Sequence, residues 1–280
     1  MSLLDEPFVF GSVLVAAAWY SLGALSLARR HGRKIALWRH ACFASALVLT
    51  IVALDSPLER AADTLFWAHM LQHVLLMMVI APLFVAAAPW MTFWRPLPLR
   101  FRRRSARGVT KSPRLQWLRT SARFIAAPIP AWIAFNGDMA LWHVPWLYDL
   151  TLRNTTVHYV EHVSFIVFGV LFWAQVIESP PMHSRLSTSG RAIYTAVGSI
   201  ASWLLAIVLA LANKPLYPAY TGHHGLSALG DQQLAAGVML GPGSIAYAIV
   251  FIYWVYVWLD TEEPRARRRV ARAPVPSAPQ

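Results

Sequence analysis

Trp67-Ala68-His69-Met70-Leu71-Gln72-His73-Val74-Leu75-Leu76-Met77-Met78 opens a strongly apolar run that reaches Trp90. His69 and His73 are four residues apart, so on a helix they share one face, about 6 Å apart along the axis. Met77 continues that face one turn further in. A stripe of metal-capable side chains inside a membrane-length helix is costly and needs a functional reason. The stretch therefore predicts a site inside a membrane bundle.

The rest of the chain agrees. Of its 280 residues 57% are hydrophobic and only 14% are charged, against about a quarter charged in soluble domains. The mean hydropathy of +0.45 points to a polytopic membrane protein. Seven apolar runs reach the length of about 20 residues that a spanning helix needs. They cover 8–28, 36–54, 65–90, 124–142, 156–177, 192–212 and 233–259, so the expected fold is an all-α bundle of seven transmembrane helices. Residues 1–260 make up the membrane domain. Residues 261–280 form a basic, Pro- and Ala-rich tail with the composition of a disordered segment.

The basic residues orient it. The segments 29–39, 95–123, 178–191 and 265–272 hold 22 of the 25 Lys and Arg, leaving Arg60, Arg153 and Lys214 for the alternate loops. Every second loop is basic, which puts the N-terminus outside and the C-terminus in the cytoplasm. The net charge of +12 is thereby accounted for by topology and lipid, without nucleic acid. Asp5 and Glu6, with no basic n-region, do not suggest a cleaved signal peptide. The location implied is a membrane crossed several times, with the bilayer as the main environment.

Cys42 is the only cysteine, so soft-metal chemistry must rely on His and Met. Of the ten histidines, His31, His40 and His183 fall on the cytoplasmic side. The other seven fall on the outer side: His69 and His73 in the third run, His143 ending the fourth, His158 and His162 opening the fifth, and His223 and His224 in the last outer loop. The two pairs, each at i, i+4, lie at one predicted depth, facing the periplasm or exterior. Glu161 and Asp138 lie at similar depth and suit either direct ligation or orientation of a ligating imidazole. Imidazole suits copper, zinc, iron and nickel, whereas thioethers favour Cu(I). Met70, Met77, Met78, Met139 and Met239 fall within reach, although Met in apolar runs is commonly packing material. Pro82, Pro128 and Pro130 suggest kinks. Gly237, Gly241 and Gly243 with Pro242 loosen the seventh run, for close packing or to shape a site.

Several stretches carry a resemblance. They are His69-Met70-Leu71-Gln72-His73 with the run to Pro89-Trp90, and Leu141-Trp142-His143-Val144-Pro145-Trp146-Leu147-Tyr148-Asp149. His158-Tyr159-Val160-Glu161-His162-Val163-Ser164-Phe165 follows, then Leu216-Tyr217-Pro218-Ala219-Tyr220 and Asp231-Gln232-Gln233-Leu234-Ala235-Ala236-Gly237. From about residue 40 to 258 the chain resembles the multi-spanning CtaG-type cytochrome c oxidase assembly proteins, which are distinct from the single-span copper chaperone of the same name. The resemblance implies a non-enzymatic role in making active haem–copper oxidase, by supplying or holding copper. Oxidase subunits, and a periplasmic copper chaperone as donor, are the partners it implies. It carries over His69, His73, His143, His158, Glu161, His162, Asp231 and Gln232 as motif positions, but not His223 or His224.

The residues alone leave other functions open. Facing histidines could hold haem b. A metalloenzyme, with zinc for instance, could use Glu161 as base on metal-bound water. A scaffold could use the histidines only to bind the oxidase. The absence of nucleotide-binding and acylphosphate motifs argues against an ATP-driven pump.

Overall fold

The computed structural model describes residues 7–31, 34–223 and 225–272, and among these there is no β-strand. The helices in chain order are α1 (Pro7–His31), α2 (Leu37–Leu54), α3 (Pro57–Ala62) and α4 (Phe66–Val74). A π-helical turn, Leu75–Ile80, joins α4 to α5 (Ala81–Ala87). Next come α6 (Trp90–Trp94), α7 (Leu99–Lys111), a 3₁₀ turn at Pro113–Leu115, α8 (Gln116–Ile125) and α9 (Pro128–Trp142). The chain ends with α10 (Pro145–Arg153), α11 (Thr155–Trp173), α12 (Thr188–Leu211), α13 (Ala228–Leu240) and α14 (Pro242–Arg272).

Among the described residues six helices are long and apolar enough to cross a membrane: Pro7–Arg29, Leu37–Leu54, Phe66–Ala87, Thr155–Trp173, Thr188–Leu211 and Ala228–Glu262. A seventh span exists only if the pair Pro113–Ile125 and Pro128–Trp142, bent by 71°, counts as one. The kink suggested by Pro128 and Pro130 in the fourth run is thus a break between two helices. Pro128 does not kink a continuous helix but occupies the first turn of a new one, where its missing N–H costs nothing. α9 runs antiparallel to α11: the Gln175 amide bonds the Ala126 carbonyl at 3.3 Å, and Phe135 stacks on Phe172 with centroids 4.4 Å apart. Side chains such as Leu204, Val208, Ile249 and Ile252 stay exposed on the outside of the bundle, as lipid-facing residues must.

Two local features fix the centre. The π turn widens the third span between the histidines and Pro82. Its Met77 carbonyl accepts the Trp173 indole N–H at 2.7 Å, so the altered backbone is satisfied from α11. On α11, Gly169 leaves no room for a side chain: a Cβ there would meet the Ala81 Cβ at 2.9 Å. This close contact lets α11 lie against the third span, and packing of this kind, rather than hydrophobicity, holds helices together in lipid. The seventh span breaks at Gly241, where α13 gives way to α14. Gly243 packs near Val74, with a Cβ there 3.4 Å from its Cγ2, which is the close-packing role.

The alternate loops gather at opposite ends. Tyr220 bonds Ala62 and Tyr148 at the end that also carries His69, His143 and His158. At the other end the Trp90 indole bonds Ser179, whose hydroxyl in turn bonds the Val85 carbonyl. Thus the histidine-bearing loops share one end of the bundle and the Arg-rich segments the other.

Candidate metal centre

α4 begins without a side-chain cap of its own. The cap comes from α13, where the Asp231 carboxylate accepts the Phe66 and Trp67 N–H groups at 2.8 and 3.0 Å. A carboxylate in this position satisfies two orphan donors and complements the helix dipole. It thereby fixes the start, and hence the rotation, of the helix bearing His69 and His73. Gln232 ties the next segment, bonding the Leu216 N–H at 2.7 Å and the Leu209 carbonyl at 3.0 Å. Both residues position the backbone and neither joins the histidines. α11 is capped locally: the Asn154 side chain accepts from the Thr156 and Val157 N–H groups.

Between these helices His69, His73, Glu161 and His162 converge, with one ligand atom from each all within 4.8 Å of one another. All four are buried, Glu161 completely. His69 Nε2 lies 3.9 Å and His73 Nε2 3.6 Å from the Glu161 oxygens, too far for hydrogen bonds. Both Glu161 oxygens, both His73 nitrogens, His69 Nε2 and His162 Nε2 make no hydrogen bond. The neighbouring Thr151 hydroxyl donates to the Tyr148 carbonyl at 2.7 Å instead. So many unsatisfied polar atoms in one buried spot would each cost free energy unless something fills the gap. Metal–nitrogen bonds of about 2.0–2.1 Å place tetrahedral ligands about 3.3 Å apart, so these four would need to move inward by less than about 1 Å each.

The tautomer of His69 follows from its neighbours. Tyr220 Oη lies 3.1 Å from the Ala62 carbonyl, 3.0 Å from Tyr148 Oη and 3.2 Å from His69 Nδ1. The carbonyl can only accept, so it takes the Tyr220 proton. Tyr148 and His69 Nδ1 must then donate to Tyr220, and Nε2 is left as a bare lone pair facing Glu161. Metal-binding imidazoles are commonly oriented through their other nitrogen in this way. Phe66, Tyr148 and Tyr217 pack round Tyr220 as an aromatic cover. Tyr148 and Tyr220 are the residues that sequence reasoning missed. The only signal was their place in quoted motifs, because a tyrosine in an outer loop does not announce which histidine it will hold.

The remaining candidates divide. His158 is half-buried. It stands 5.2 Å from His69 and 4.2 Å from His162 between ring centroids, and lines a polar cleft with Asp55, Glu59 and Asp63. His143 lies beside His73, at 6.4 Å, and on to Met70. Asp138 accepts from the Trp142 indole and the Ser164 hydroxyl, each at 3.0 Å, and so braces α9 against the turn of α11 below Glu161. Met70, Met77, Met139 and Met239 are buried beneath the cluster with Met78. His223 is exposed and apart from the cluster, and His224 lies outside the described residues.

The cytochrome c oxidase caa3 assembly factor family (Caa3_CtaG) matches residues 18–261, which include every residue of the cluster. The chain belongs to that family. Two uncharacterized mycobacterial proteins, from Mycobacterium bovis and Mycobacterium tuberculosis, are each 27% identical over 279 residues, covering 95% of this chain. An uncharacterized protein of Mycobacterium leprae is 24% identical over 65% of the chain. This family member spans 40% of the length of the first two relatives and matches 27% of the third. No solved structure matches the chain. Membership of this family agrees with the several helices that are long and apolar enough to make it a multi-pass membrane protein.

Proposed function

We propose that the chain is a non-enzymatic assembly factor that binds copper at His69, His73, Glu161 and His162 and yields it to a subunit of a haem–copper oxidase. The observation that carries this is the set of unsatisfied, buried imidazole and carboxylate atoms facing one point. Membership of an oxidase assembly family supplies the recipient. Charge supports the monovalent ion: Cu(I) against an ionised Glu161 and neutral imidazoles is a neutral assembly, the least costly state in a membrane interior. By the positive-inside rule the cluster faces the exterior, the periplasm in a bacterial inner membrane, where a copper chaperone could load it through the cleft beside His158.

Glu161 itself favours a second reading. A carboxylate ligand suits a divalent ion such as zinc better than Cu(I). Metal analysis of purified, full-length protein decides. Bound copper that falls by about one ion per chain on Glu161→Gln together with His162→Ala is the expected result. Zinc in place of copper would support the second reading, and a red protein with a Soret band would replace both with haem.

A further inference from the structure

Five of the chain's eight methionines meet at one small cavity beneath the cluster. Met70, Met77, Met78, Met139 and Met239 line it, together with His73 and His143. They come from four separate elements: α4, the π turn, α9 and α13. The π turn matters here, because both consecutive residues Met77 and Met78 reach the same cavity. Methionine as packing filler would account for apolar contact alone. It does not account for His143.

His143 is buried, and its Nδ1 lies 2.7 Å from the Met139 carbonyl. A carbonyl can only accept, so Nδ1 carries the hydrogen, and in the neutral ring Nε2 is a bare lone pair. That lone pair points at the Met70 sulfur, 3.3 Å away. A thioether has no hydrogen to offer. Two electron-pair donors thus face each other in the buried interior.

We propose that His143 Nε2 and the sulfurs of Met70, Met77, Met78, Met139 and Met239 form a second, softer position for a monovalent ion of the Cu(I) type. Thioethers favour that soft ion, whereas imidazole suits copper and zinc alike, so the selectivity rests on the sulfurs. His73 reaches both positions, since it belongs to the His/Glu cluster and lines the methionine cavity. Passage between them is ligand exchange: a metal–nitrogen or metal–oxygen bond is replaced by a metal–sulfur bond, and the ion keeps its oxidation state. This passage rests on the copper reading of the cluster, whereas the thioether position itself does not.

The test uses full-length protein in detergent, without oxygen, in a Cys42→Ser background, so that no thiol contributes sulfur. Wild-type ligands loaded with Cu(I) or Ag(I) should show sulfur neighbours by X-ray absorption. Met77→Leu, Met78→Leu and Met239→Leu combined nearly conserve volume, a type of change that cores tolerate. That variant keeps Met70 and Met139, so its sulfur signal should fall to fewer neighbours, and it should bind Ag(I) at least about ten-fold more weakly, since losing outer partners alone costs about 10–100-fold. Co(II) binding at the His/Glu cluster should be unchanged. Glu161→Gln with His162→Ala should do the reverse, removing Co(II) and keeping sulfur-bound Ag(I). Only nitrogen and oxygen neighbours in the loaded protein, or unaltered Ag(I) affinity in the triple variant, would overturn the proposal. Sulfur-bound Ag(I) without any Co(II) binding would instead remove the cluster reading and leave the thioether position standing.

Discussion

Asp231 and Phe66 are 165 positions apart in the chain, and the carboxylate of one accepts the backbone N–H of the other at 2.8 Å. The last pair of helices thereby sets the first turn of the helix that carries His69 and His73. Asp231→Ala should cost roughly 1–3 kcal/mol of stability, the range for leaving buried donors unsatisfied. Asp231→Asn, which can still accept one bond, should cost less. Thermal unfolding in detergent measures both. Metal affinity should fall with the Ala variant although Asp231 touches no ligand atom, and unchanged affinity would show that α4 keeps its place without the cap.

His73 and His162 belong to one four-residue group. Replacing either by Ala should remove about the same amount of bound metal, and the double variant should lose little more, because residues serving one site are not additive. His183, exposed in the connection beyond the far end of α11, is the control and should change nothing. Additive losses would mean two independent sites.

Tyr220→Phe removes the hydroxyl that holds His69 Nδ1. Loss of such an outer partner typically costs about 10–100-fold in metal affinity. The fold should survive, since the ring stays packed on Phe66 with centroids 5.3 Å apart. Competition with a chromophoric chelator reads the affinity. An affinity equal to wild type would show that His69 needs no outer partner.

Acid should weaken binding. Three of the four cluster ligands are imidazoles, and each proton that settles on a ligating nitrogen removes a ligand, so metal uptake releases protons. Affinity is therefore highest on the alkaline side and declines as pH falls. A profile that stays flat down to the pH at which the protein unfolds would count against a histidine-dominated site.

A topogenic reporter placed after residue 280 should be active only in the cytoplasm, and one near residue 220 only outside. Activity of the tail fusion on the exterior would put the metal cluster on the wrong side for loading from the periplasm.

The gathering of the histidines was legible in the sequence, because Lys and Arg mark alternate loops independently of where His falls. The pairing of His69 and His73 with His162 and Glu161 was legible from helical spacing and depth. The break before α9 was legible as a kink at Pro128 and Pro130, but its sharpness, 71°, was not, since hydropathy carries no record of direction. The role of Asp231 was hidden for a related reason. An acidic side chain at membrane depth suggests ligation, while the donors it satisfies belong to a helix start far away in the chain. Likewise Asp138 has the composition of a ligand and the contacts of a brace, bonded to Trp142 and Ser164.

The π turn at Leu75–Ile80 has a further consequence. A helix advances about 100° per residue, and a π turn adds one residue of surplus to it. The third span is therefore two rods set at different angles about one axis. One presents His69 and His73 to α11, and the other presents Ala81 to Gly169. Winding these same residues at an even α pitch would turn one rod against the other by about 100°. The imidazoles and the tight Ala81 contact could then no longer both face α11. The widened turn acts as an angular offset between the metal-facing and packing-facing halves, so the surplus residue and the turn that absorbs it belong together.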